Sequence, residues 1–158
     1  MTKECKQQFT LRITQANKTE LIVILYEMIL EYISDAKKAL AEREIEEFRE
    51  SLRKVRGCLR ELNLSLNLDY ELAGRLLSLY MYCNRELTKA DIRKEEEPLT
   101  HICMVVEKLL AAYRELAKQD TTGAVMQNSQ TVYAGLTYDR NSLSEDMTDQ
   151  GANRGFRA

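Results

Sequence analysis

The chain has 158 residues, of which 44% are hydrophobic and 30% are charged, a size that suggests one domain with at most a modest extension. Its 23 basic and 25 acidic side chains nearly balance and mostly alternate, so no basic face forms and we expect no nucleic-acid partner. The single Pro, the absence of Trp and the location of four of the six Gly residues after residue 122 favour helices over most of the chain.

The most apolar stretch of the sequence is too short to cross a membrane. It covers residues 21–33 and carries Glu27 and Glu31, whereas a spanning helix needs about 20 residues that are mostly apolar. The first residues lead into no long apolar run and do not resemble a signal peptide. We therefore predict a cytoplasmic protein without membrane insertion.

The first two predicted helices cover residues 17–41 and 45–66. Asn17 and Glu20 have the spacing of a capping box, in which each side chain accepts a hydrogen bond from the backbone amide of the other. Apolar residues then recur at steps of three and four, which is the period of one helix face. The apolar phase slips at residues 41–44, so we predict a break there.

Two further helices are predicted at residues 70–91 and 95–118. Asp69 can cap the third, and Pro98 is compatible only with the first turn of the fourth. Four helices with short connections predict an all-α, antiparallel up-down four-helix bundle. After residue 120 the helical period ends and Gly, Ser, Thr, Asn and Gln dominate, which predicts a helical domain at 1–119 and an irregular C-terminal extension at 120–158.

The sequence lacks the residue patterns of common catalytic and metal sites. His101 is the only histidine, and Pro98 stands where a Glu-x-x-His metal motif needs its glutamate. No glycine-rich phosphate loop or Gly-x-Ser-x-Gly elbow occurs, and Cys103 lies on a different helix face from His101. The four cysteines have no zinc-ligand spacing and read as small core residues. We predict no enzyme activity, no metal and no cofactor.

The first and third predicted helices carry more apolar residues than one helix face can hold. Clustered exposed apolar side chains usually mark a binding surface, and Tyr and Met suit such surfaces. The alternative is that these helices are more central, or are covered by residues 1–16 and by the C-terminal extension. From the pattern alone both interpretations stay open.

Two segments resemble the flagellin export chaperone family, FliS. Residues 13–27 are similar to the start of its first helix, and residues 79–92 are similar to its third-helix pattern of Leu-Tyr-x-Tyr followed by Leu and Ala-Asn. The resemblance covers roughly residues 7–118, with Asn17-Lys18 in place of the usual Ser-Pro. The matching positions in the first segment are Ala16, Leu21, Ile22, Leu25 and Tyr26.

The resemblance implies a function for the surplus apolar surface. Such proteins bind the disordered C-terminal segment of flagellin in the cytoplasm, prevent its premature polymerisation and deliver it to the flagellar export gate. The alternative function is that of a self-associating helical adaptor or structural bundle with no flagellin client. The residues predicted to line the client groove are Ile22, Tyr26, Ile29, Leu76, Tyr80 and Tyr82.

The C-terminal extension contains isolated large apolar residues of the kind that a client peptide presents to a groove. We therefore predict that residues 125–158 lie over the apolar surface of the first and third predicted helices. They would do so in the same chain or in a neighbouring chain, and the second case would give a homo-oligomer.

Overall fold

A computed structural model describes residues 1–126 and shows only helices and connecting segments in this range, which confirms the all-α class. It contains five helices rather than the four predicted. The additional helix lies before residue 17, where the apolar pattern predicted no helix. The helices are α1 (Lys3–Gln15), α2 (Lys18–Ala41), α3 (Ile45–Leu64), α4 (Glu71–Arg93) and α5 (Glu97–Gln119).

The helix α1 begins at a side-chain cap that the sequence contains. The Thr2 hydroxyl accepts a hydrogen bond from the backbone amide of Cys5 at 3.2 Å, which satisfies one of the free amides of the first turn. Only Phe9 is fully buried along this helix, and Cys5 and Ile13, four residues before and after it on the same face, are half-buried. An apolar face of only three residues is a short pattern, and α1 was not among the predicted helices.

The ends of α2 follow the predicted signals. The side chain of Asn17 accepts from the Glu20 amide at 2.9 Å, and the Glu20 carboxylate accepts from the Asn17 amide at 3.0 Å. The predicted capping box is therefore present. At the other end Arg43 has a φ of 63°, a left-handed conformation that turns the chain between α2 and α3. The predicted break in this region is confirmed.

The four long helices share one apolar core. Helix α2 packs against α3 and α5, and α4 packs against the same two helices. Helix α1 packs against α2, where Phe9 and Ala16 join Ile24 in a second, smaller apolar cluster. The antiparallel up-down order of the long helices stays a prediction.

Residues that follow α5 return to the junction between α1 and α2. The backbone amide of Val125 donates to the carbonyl of Ala16 at 3.0 Å. The Thr19 hydroxyl donates to the Asp120 carboxylate at 2.5 Å. Met1–Val125 forms one compact unit. Most of the predicted extension, residues 127–158, lies outside the described residues, so its boundary and its placement stay predictions.

Two glycines lie within helices at positions where a side chain has room. A Cβ added at Gly57 in α3 or at Gly74 in α4 would meet no other atom within 4 Å. Because Ala loses less backbone entropy on folding, we expect Gly74→Ala to raise the free energy of unfolding by about 0.5–1 kcal/mol. Urea denaturation measures this change, and Gly57→Ala should behave alike. A lower free energy of unfolding in either variant would contradict the described helix geometry.

Candidate functional site

The structure places most of the predicted groove residues in the core. Tyr26 and Ile29 on α2 and Leu76 and Tyr80 on α4 are buried. Ile22 and Tyr82 are half-buried and pack against the core. Much of the surplus apolar surface of α2 and α4 is therefore internal, as expected if these helices are central to the bundle.

The two buried tyrosines form a polar contact inside the apolar core. The Tyr26 and Tyr80 hydroxyl oxygens are 2.5 Å apart, and the Tyr113 ring packs edge-on against Tyr26 with a centroid distance of 5.5 Å. Burial raises the pKa of Tyr80 to about 12, and burial together with the Tyr80 hydrogen bond raises the pKa of Tyr26 further. Both hydroxyls are therefore neutral at physiological pH.

Three of the predicted residues meet at one apolar groove. Ile22, Leu76 and Tyr80 line a cavity of about 200 Å³ where the start of α2, the end of α3 and the start of α4 come together. Tyr113 of α5 also lines it. Tyr26, Ile29 and Tyr82 do not line this groove. The remaining lining residues are Ser65, Leu66, Asn67, Tyr70, Leu72 and Ala73.

An exposed apolar rim, which we define as Leu64, Leu68, Tyr70 and Leu72, lies in and beside the α3–α4 connection. These side chains are 74%, 66%, 68% and 59% exposed. Tyr70 and Leu72 also line the groove, so the rim continues the apolar surface outward. Sequence reasoning missed this rim. The signal was available, because the Leu residues at 62, 64, 66 and 68 alternate with polar residues and one helix face cannot bury them all.

Comparison with known proteins gives the family of the chain. The family described as "Flagellar protein FliS" matches residues 1–120, a range that includes α1 and the whole bundle. The chain belongs to the FliS family. The predicted resemblance to FliS is therefore confirmed, and the match ends near the predicted start of the C-terminal extension.

The chain is also similar to an individual protein, the "Flagellar secretion chaperone FliS" of Bacillus subtilis (strain 168). It is 30% identical over 107 residues, which cover 68% of this chain and 77% of the relative. This similarity to a chaperone agrees with the prediction that the chain is not an enzyme.

A metal centre and a membrane-spanning helix are both absent from residues 1–126. Within this range no group of three or more His, Cys, Asp or Glu side chains could hold a metal ion. No helix of the described range is long and apolar enough to cross a membrane.

A buried carboxylate joins α4 to α5 away from the groove. Glu86 is 2% exposed. Its Oε1 accepts a hydrogen bond from Lys89 Nζ at 2.5 Å, and its Oε2 lies 2.9 Å from His101 Nδ1. The hydrogen bonds from Lys89 and His101 hold the pKa of Glu86 below its usual value. His101, which the sequence excluded from a metal motif, is half-buried beside this carboxylate.

We expect the Glu86 carboxylate to stabilise the fold at neutral pH and to lose this contribution to the free energy of unfolding at acidic pH. Because the pKa of Glu86 is lower in the folded chain, its contribution is complete above the unfolded-state pKa and is lost as pH falls through the folded-state pKa. Glu86→Gln should therefore be less stable than the unaltered chain near pH 7, and the difference should shrink below about pH 4. Urea titrations at several pH values measure it. A difference that stays constant down to pH 3 would contradict this role.

Proposed function

We propose that the chain is a flagellar export chaperone that binds the C-terminal segment of flagellin, prevents its premature polymerisation and hands it to the flagellar secretion apparatus. It would act in the cytoplasm. The observation that carries the proposal is the exposed apolar rim beside the groove, in a chain of the FliS family. The name of the Bacillus subtilis relative supports the same function.

The physical basis is the cost of exposing the rim to water. When a partner fully covers one large apolar side chain, the complex is stabilised by about 1.5–3 kcal/mol. A disordered segment can follow an irregular surface of this kind, although it must become ordered when it binds. The ordering cost lowers the net affinity and makes release possible at the secretion apparatus.

The structure suggests different roles for the six residues predicted from the sequence. We propose that Ile22, Leu76 and Tyr80 contact the client, because they line the groove. Tyr26 would position Tyr80 through the hydroxyl pair. Ile29 lies in the core and would support α2. Tyr82 packs at the edge of the core and would extend the contact surface along α4.

Calorimetric titration with the flagellin C-terminal segment tests the proposal. We expect saturable binding to that segment and none to an N-terminal flagellin segment of equal length. The chaperone should also suppress the light scattering of polymerising flagellin. If the chain binds neither segment and its size in solution grows with its own concentration, it is the self-associating adaptor instead.

We also propose that the C-terminal extension, which is predicted to lie over this apolar surface, competes with the client for it. A truncation after Met126 preserves the contacts of residues 120–125 with the α1–α2 junction. If the extension competes with the client, this truncation should bind the flagellin segment more tightly, because a tethered segment has an effective concentration of order millimolar. Calorimetry of both forms measures the change. Equal affinities and equal solubility would contradict the competition.

A further inference from the structure

We propose that a second apolar pocket, between α1, α2 and α3, takes an aliphatic side chain of the same client segment. This inference rests on the proposed function. It adds that α1 forms a wall of the client site. The pocket has a volume of about 270 Å³ and is lined by Ile13, Lys18, Leu21, Ile22, Ile24, Leu25, Glu61 and Ser65.

The lining sets the chemistry of the occupant. Five of the eight lining side chains are Ile or Leu, and the charged ones, Lys18 and Glu61, have opposite signs. Without a net charge or a cluster of polar groups, the pocket favours an aliphatic group over an ion or a polar ligand. Its volume lies below the ~300 Å³ at which pockets for small molecules begin, so one large side chain fits better than a free ligand.

The second pocket continues the groove already described. Ile22 and Ser65 line both cavities, so the two lie on either side of one shared ridge. A polypeptide in the groove can therefore place a neighbouring side chain in the second pocket by crossing only Ile22 and Ser65. Peptides that bind through two apolar anchors use this arrangement. The shared ridge is the argument for one client segment rather than a separate partner.

An ion pair holds α1 against α2 in the position that this role requires. Arg12 of α1 and Arg114 of α5 both pair with Glu27 of α2, the second at 3.0 Å. Burial raises the pKa of Glu27, but the hydrogen bonds from Arg12 and Arg114 outweigh it and keep that pKa below its usual value. Glu27 is therefore ionised at neutral pH, and its pair with Arg12 ties α1 to α2 while Ile13 lines the pocket.

Two neighbouring residues of α1 provide a matched pair of variants. Ile13 lines the pocket, whereas Leu11 is 60% exposed and does not. We expect Ile13→Ala to weaken binding of the flagellin C-terminal segment by about 5- to 30-fold in calorimetry, since it removes aliphatic contact area. Leu11→Ala should bind within about twofold of the unaltered chain, because surface changes away from the contact have small effects.

If Ile13→Ala also destabilises the packing of α1, a fluorescent reporter tests the pocket independently. The chain has no Trp, so Lys18→Trp places a single indole at the pocket edge. With a Trp-free client segment, its emission should shift to shorter wavelength on binding, and that of Leu11→Trp should not. An unshifted Lys18→Trp, unchanged affinity in Ile13→Ala, or tighter binding by that variant would overturn the inference. If the unaltered chain does not bind the segment, the proposed function itself fails.

Discussion

Leu72→Glu is expected to weaken binding of the flagellin C-terminal segment by about 30- to 100-fold. Leu72 is 59% exposed in the described structure and also lines the groove, so a bound client would cover it. A carboxylate covered by apolar client side chains loses its hydration without gaining a partner, and a cost of about 2–3 kcal/mol corresponds to this change in affinity.

The same substitution should leave the fold intact. Because the Leu72 side chain is already largely in water, its replacement removes little buried area, and we expect the free energy of unfolding to change by no more than about 0.5 kcal/mol. Binding and stability are thus separated at this position. They are not separated at Tyr80, where a charge would enter the core beside Tyr26.

A matched control lies on the same helix. Ile92 is 77% exposed near the end of α4 and does not line the groove. Ile92→Glu makes the same chemical change, so it should bind the client as the unaltered chain does. Calorimetry on both variants, with circular dichroism to check helix content, makes the comparison. Equal affinities for Leu72→Glu and Ile92→Glu would place the client elsewhere.

Helix limits from α2 onward could be predicted because local signals determine them. The capping box at Asn17 fixes the start of α2, and Pro98 fits the first turn of α5. Helices α2 to α5 begin and end within two residues of the predicted limits. Helix α1 has a weaker signal, because only Cys5, Phe9 and Ile13 mark its apolar face. Its position depends on contact with Ile24 of α2, which a local pattern does not contain.

The site was harder to predict because a surplus of apolar residues does not say which of them face water. Tyr26 and Tyr80 looked suited to a surface, since each has a polar tip that a core must satisfy. In the structure each tip satisfies the other, so both rings can be buried. Tyr70, by contrast, lies just before the helix α4, where no period assigns a face. Its exposure follows only from the path of the connection.

Removing one hydroxyl of the tyrosine pair is expected to destabilise the bundle. Tyr80→Phe leaves the Tyr26 hydroxyl buried without this partner, and Tyr26 is 0% exposed, so water cannot replace the lost bond without a rearrangement. An unsatisfied buried hydroxyl costs about 1–3 kcal/mol. For a helical unit of this size, each kcal/mol lowers the melting temperature by about 2–8 °C, which thermal denaturation measures.

Removing both hydroxyls should cost less than the two single changes together. In Tyr26→Phe with Tyr80→Phe, no polar atom of the pair remains to be desolvated, and the ring at position 26 keeps its packing with the rings at positions 80 and 113. The double-mutant cycle should therefore give a coupling free energy of about 0.5–3 kcal/mol. Additive effects would mean that each hydroxyl finds another partner in the folded chain. Measuring client affinity for the same four proteins then tests the proposed positioning role. If the hydroxyl pair orients Tyr80 in the groove, the two substitutions should also be non-additive in the binding free energy.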